Sequence, residues 1–234
     1  SINIYCIYRW TLIDNYKYFE NLNDYPENNN GSCGFVALSI LLSYFDCYYH
    51  GDIVSDNYII KKQYGSDNKP NMSPGPNREL RDKLLYVYGD VIPWPTGHPT
   101  MGTLLESTYI DYSQLEIPYN VRSKIISGSG LFFNTHDEPR NYINQNYPAI
   151  IVMTSYNYSI YEDGETYNDS MHIVVAYGYK NEKFKVHYGL GDERFNKIII
   201  NSAVIQSYMG LKYNGVHSHN SNYFNDDYFG CSCG

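Results

Sequence analysis

The chain is poor in positive charge. Its 17 Lys and Arg are outnumbered by 25 Asp and Glu, for a formal net charge of −8. No Lys/Arg stripe is available to neutralise phosphates, which excludes non-specific nucleic-acid binding. No apolar run approaches the length needed to span a bilayer. No signal peptide is read in it, and a start at Ser1 without a methionine is what a processed or trimmed form is expected to show. A phosphate-cradling loop is missing: "SGSG" at Ser127–Gly130 lacks the following Lys and helix signal. "DGETYND" and "NDD" hold carboxylates without the spacing of a calcium loop. His217, His219, Cys231 and Cys233 offer four metal-capable side chains, but their spacing matches no common zinc signature. No metal and no cofactor are therefore expected. The five cysteines are an odd number. With Cys33 set aside as a free thiol, Cys6, Cys47, Cys231 and Cys233 are either reduced or paired in one of three ways.

What the chain does have is apolar content and tyrosine. Hydrophobic residues make up 43% of its 234 positions, enough for a sizeable core. The 28 tyrosines, many alternating with Asn, Asp and Lys, fit half-buried strands and polar loops. "CGFVALSILLSYFDCYY", from Cys33 to Tyr49, reads as a helix apolar on nearly every side, hence a central one. Asp46 and Asp52, near its end, read as solvated, and Cys47 as a packed thiol. "NRELRDKLLYVYG" reads as an amphipathic helix, and shorter helices are expected near Met101–Tyr109 and Tyr119–Ser127. "DEPRNYINQN" suits a helix start, and Pro148 then gives way to the strand "AIIVMTS". "MHIVVAYGY", "KFKVHYGL" and "NKIIINS" are further strands. Helices first and strands later predict an α+β fold, with the central helix packed on an antiparallel sheet or half-barrel. The expected organisation is one domain over 1–215, with a helical lobe at about 28–136 and a strand lobe at about 137–215. A polar tail follows over 216–234.

Two residues stand where chemistry needs them. Cys33 lies at the mouth of the central helix, where unpaired N–H groups and the helix dipole favour a thiolate. Gly34 leaves room there for a substrate to approach. His172 opens a strand after the polar loop "EDGETYNDS", a place where a ring can face a cleft and still be held. A nucleophilic thiol with a histidine base is the minimum for acyl transfer.

"GSCGFVALSILLSYF" followed much later by "MHIVVAYGY" resembles the papain-like cysteine peptidases. It is most similar to bacterial members related to the bacteriocin-processing and streptopain-like groups. "VHYGLG" resembles the strand that carries their third catalytic residue, and "YINQNYPAIIVM" the step before the His strand. The resemblance spans roughly Asn28–His50 and Asp137–Tyr213. It implies a papain-like fold, peptide or protein substrates, and hydrolysis through a thioester on Cys33 with His172 as base and then acid. It leans toward a secreted or cell-surface setting.

Two positions depart from the pattern. His187 occupies the place, fifteen residues after His172, where the family usually has Asn or Asp. Its imidazole could orient His172 as an acceptor without bringing a negative charge. A Cys-His-His set occurs in another papain-like group, the cell-wall amidases and endopeptidases. Asp192 is the alternative third member. Glu27 stands near the place of the usual oxyanion-donating Gln, and an ionised carboxylate cannot donate. Asn28, Asn29 and Asn30 can, and Asn28 fits best by spacing, with the Cys33 N–H as second donor. The alternatives to a peptidase are a cell-wall amidase, a transglutaminase-like acyl transferase, and a non-catalytic binding module on the same frame.

Overall fold

The computed structural model describes residues 9–28, 32–60, 73–88, 112–131, 137–153, 156–159, 166–169, 172–191 and 193–218. Along the chain come β1 (Thr11–Leu12), α1 (Lys17–Glu20), α2 (Cys33–Tyr48), β2 (Ile59–Ile60), β3 (Gly75–Pro76) and α3 (Arg78–Tyr88). A one-turn helix Tyr119–Arg122, β4 (Ile125–Leu131), a helix Asp137–Asn144, β5 (Ala149–Met153), β6 (Tyr156–Ser159) and β7 (Thr166–Asp169) follow. The described elements end with β8 (His172–Lys180), β9 (Lys183–His187), β10 (Ile198–Asn201) and β11 (Ile205–Tyr213). Among the described residues, nine strands form one antiparallel sheet in the order β4-β11-β5-β8-β9-β10-β6-β7. β1 completes it by pairing with Gly178 and Tyr179, beyond the end of β5 on β8. The fold is α+β, with the central helix carrying Cys33 packed on the antiparallel sheet.

All 16 residues of α2 are buried, as a helix without a polar face must be. The sheet, through β5 and β8, takes one side; α3 and the β2–β3 ribbon take another. Truncating a core leucine such as Leu41 would cost about 2–5 kcal/mol. α3 is amphipathic by contrast and turns Leu80, Arg81, Leu84 and Tyr88 inward. An aromatic clip closes the N-terminal side. Phe19 stacks on Tyr177 of β8 at 5.2 Å, and Tyr18 meets Tyr44 of α2 edge-on at 5.3 Å. Tyr18, Tyr44, Tyr177 and Tyr188 are among the largest fully buried side chains. Several of the many tyrosines are thus core residues, beyond the half-buried and loop positions that their polar neighbours suggest.

Two expectations are corrected here. The helix expected over Tyr119–Ser127 stops at Arg122, and β4 begins at Ile125. Glycines of β4 and of its partner β11 make this possible: Tyr142 lies over Gly128 and Gly210, and Tyr208 over Gly130, where any Cβ would collide with the rings. Asp46 is fully buried, not solvated. Its Oδ1 accepts from the Val54 N–H at 2.8 Å and folds the turn after α2 back onto the helix, while Oδ2 has no partner. Burial, reinforced by Asp56 and Asp52 against the Val54 and Ile53 N–H groups, pushes this carboxyl up to about 7.

Met101–Tyr109 lies outside the described residues. The start of the polar tail is tied down at the far end of α2. Ser218 donates its N–H to the Tyr49 carbonyl at 3.0 Å, and His217 sets its ring edge-on to Tyr49 at 4.8 Å.

Candidate active site

Cys33 is the first residue of α2, so the helix presents its unpaired N-terminal N–H groups to the sulfur. The residue is 4% exposed, and its sulfur is in no disulfide. Burial pushes the thiol up; the main-chain N–H groups of Ile173, Gly34 and Cys33 itself pull it back. The Ile173 contact brings the thiol to the first peptide of β8, one residue from His172. Cys33 and His172 are far apart in sequence. Packing of α2 across β8 brings the elements that carry them together.

His172 is buried at the strand end, paired across the sheet with Met153. Its Nε2 lies 2.8 Å from the main-chain oxygen of Tyr188, and its ring stacks on the Tyr188 ring with centroids 4.3 Å apart. A carbonyl oxygen only accepts, so Nε2 must carry the proton. In the neutral ring the lone pair then belongs to Nδ1. A histidine held in that tautomer is ready to take a proton at Nδ1.

The expected hydrogen bond between His172 and His187 is not formed. His187 pairs with Val175 across β8 and β9, and directly opposed residues share a face. His172 lies three residues before Val175, on the other face. The His187 Nε2 bonds the Leu22 carbonyl at 3.1 Å, its Nδ1 has no partner, and Tyr25 meets the ring edge-on at 4.8 Å. Burial lowers its pKa to about 4, against the opposing Leu22 bond. The ring is a neutral strut between β9 and the stretch leading to Cys33.

That stretch has a second anchor. Arg81 of α3, buried, donates from Nη1 to the Glu27 carbonyl at 2.7 Å and pairs with Asp82 at 2.6 Å. Asn28 follows, half-buried, with its Oδ1 shielded from solvent and without a partner. Ser32 Oγ is likewise buried and unpartnered. Asn29, Asn30 and Asp192 lie outside the described residues, as do Cys6, His219, Cys231 and Cys233. Cys47 is buried within α2 and in no disulfide.

Beyond β9 the chain turns through Gly189 and Gly191, both at φ +74°. A Cβ on Gly189 would come within 3.3 Å of Val36, on the turn of α2 after Cys33. The Gly191 N–H donates to the Tyr25 hydroxyl. Sequence reasoning missed Tyr188 and Arg81. Strand alternation would have shown that residues 187 and 188 face opposite ways, but not which one faces His172, because that depends on register. Arg81 was visible only as one charge on an amphipathic helix.

Among the described residues no three His, Cys, Asp or Glu side chains gather as a metal site, and no helix is long and apolar enough to cross a membrane. No family model matches the chain, and no curated protein matches it. Among solved structures it is similar to a crystal structure from Bacillus anthracis, provisionally described as a C39-like peptidase. The two are 11% identical with a TM-score of 0.40, over 88% of this chain and 100% of that one.

Proposed function

We propose that the chain is a papain-like cysteine peptidase that cleaves peptide bonds through Cys33 and His172. One observation carries the reading: the helix-cap thiol meets the first peptide of the strand whose opening histidine has its Nε2 committed and its Nδ1 basic. In the reaction, Nδ1 takes the Cys33 proton as the sulfur attacks the scissile carbonyl carbon. The oxyanion of the tetrahedral intermediate is received by the Cys33 N–H and by Asn28. Half a turn of the Asn28 amide replaces its buried, unpartnered oxygen with an NH2 donor. His172 then returns the proton to the leaving amine and leaves a thioester on Cys33. Water, deprotonated by the same nitrogen, releases the acid and restores the thiol.

The neutral, buried thiol supports general-base activation by His172 rather than a standing ion pair. Asp192 remains the alternative third catalytic member. The test is iodoacetamide labelling with mapping of the modified residue between pH 5 and 8, alongside hydrolysis of casein and of peptidoglycan fragments. Fast, pH-dependent labelling of Cys33 and casein cleavage abolished by Cys33→Ser are expected. Slow labelling that ignores pH would remove the activated thiol. Cleavage of peptidoglycan alone would move the chain to the amidases.

The 4% exposure of Cys33 favours a second reading, a binding module that keeps the frame without turnover. It prevails if Cys33→Ala leaves every measured activity intact.

A further inference from the structure

Resting on the cysteine-peptidase reading, we propose that Tyr188 is the positioning residue for His172. Its main-chain carbonyl fixes which ring nitrogen is protonated, and its ring fixes the imidazole plane. The pairing of Val175 with His187, carried one residue outward, sets Tyr188 opposite Val174, on the face of His172 and diagonal to it. Diagonal neighbours on a sheet lie within reach of aromatic rings. This matches the 4.3 Å stack and the 2.8 Å bond to Nε2.

Residue 188 is itself fixed from three sides. Its N–H donates to the Phe195 carbonyl at 2.8 Å, which closes the turn behind it. Its side chain is 1% exposed. The next residue, Gly189, takes the left-handed conformation and lies against Val36, so the turn is indexed to the helix that bears the thiol. One peptide thus sets the imidazole with respect to both the strand and the nucleophile. A carbonyl acceptor does not titrate. It orients the ring at any pH, and it stabilises the imidazolium less than a carboxylate would.

The experiment is 15N NMR of the histidine rings combined with the pH profile of Cys33 alkylation by iodoacetamide. In the wild type, the neutral His172 ring is expected to carry its proton on Nε2. Tyr188→Phe, which keeps the ring, preserves both the tautomer and the alkylation profile. Tyr188→Leu, which keeps the carbonyl but has no flat face, leaves the proton on Nε2 and slows alkylation at pH 7 about tenfold through misplacement of the imidazole plane. A wild-type proton on Nδ1 overturns the proposal, and this measurement stands even if Tyr188→Leu does not fold. A folded Tyr188→Leu with an unchanged alkylation rate also overturns the role of the ring, as does Asp192→Asn reproducing the loss that Tyr188→Leu fails to give. His172→Ala separates the two claims. If it alkylates like the wild type, the peptidase reading falls; if it is slow while Tyr188→Leu is not, only the positioning role falls.

Discussion

His172 and His187 sit on neighbouring strands, both buried and both bonded through Nε2 to a main-chain carbonyl. They differ in what lies beyond. His172 stands at the first position of β8, in the peptide whose Ile173 N–H meets the Cys33 thiol. His187 points to the other face, where Leu22 and Tyr25 enclose it and its Nδ1 is left without a partner. The same side chain with the same bond is the proposed base in one place and a strut in the other. Strand alternation decides which, and residue type does not.

The largest effect expected from that difference is kinetic. His172→Ala should lower turnover on casein roughly 10²–10⁴-fold, the usual contribution of a positioned acid–base. His187→Leu should leave turnover per folded molecule near the wild type and change the melting temperature instead. Comparable kinetic losses in both variants would break the contrast.

The next effect is on stability against pH, and it brings in Asp46. His187 has a folded pKa of about 4, below the ordinary 6.5. As pH falls through that window the unfolded chain takes up a proton that the folded one refuses. His187 therefore removes about 3 kcal/mol of stability between pH 6.5 and 4. Asp46 has a folded pKa of about 7, above the ordinary 3.8. Here the folded chain keeps a proton that the unfolded one releases, and about 4 kcal/mol is lost as pH rises from 4 to 7. The two slopes oppose each other over nearly the same range. Denaturant titrations should show a shallow profile in the wild type. Asp46→Asn should leave stability rising with pH from 4 to 6.5, and His187→Leu should leave it falling. Parallel profiles in the two variants would contradict both assignments.

A smaller effect tests whether His187 alone holds the stretch before Cys33. Arg81→Met keeps the apolar stem but strips the Glu27 carbonyl of its donor, a loss of about 1–3 kcal/mol. Turnover should fall in addition if the Glu27–Asn28 peptide positions an oxyanion donor, and a change in melting temperature alone would separate Arg81 from the site. The smallest effect is at Gly189. Alanine there must hold a positive φ, at about 1–2 kcal/mol. Activity should drop more than the melting temperature suggests, since the turn sets Tyr188 against His172.

The frame of the molecule was readable in advance because its strongest signals are local. "CGFVALSILLSY" announces a central helix by having nowhere polar to face, and "HIVVAYGY" a strand by its β-branched and aromatic run. β4 and β11 were not readable in this way. Their glycines and serines weaken any strand signal, and the glycines are explained only by the Tyr142 and Tyr208 rings that lie on them. In the site, Cys33 and His172 each occupy an element end that the sequence marks. The strand beside His172 was recognised, but which of residues 187 and 188 meets its ring is set by register with β8. Asp46 misled because a carboxylate near a helix end is usually wet, and the Val54 turn that covers it has no signature.

The burial of α2 on every side also bears on how the chain is made. Its partners β5 and β8 follow far behind it in the sequence, and the Ser218 clasp on Tyr49 comes later still. On the ribosome the helix must leave the exit tunnel with no surface to cover it. The nascent chain carries its most insoluble segment unprotected until most of the sheet has been synthesised. Truncations that end before β8 should therefore emerge as aggregates or chaperone-bound chains, and folding should begin only when the strand bearing His172 arrives.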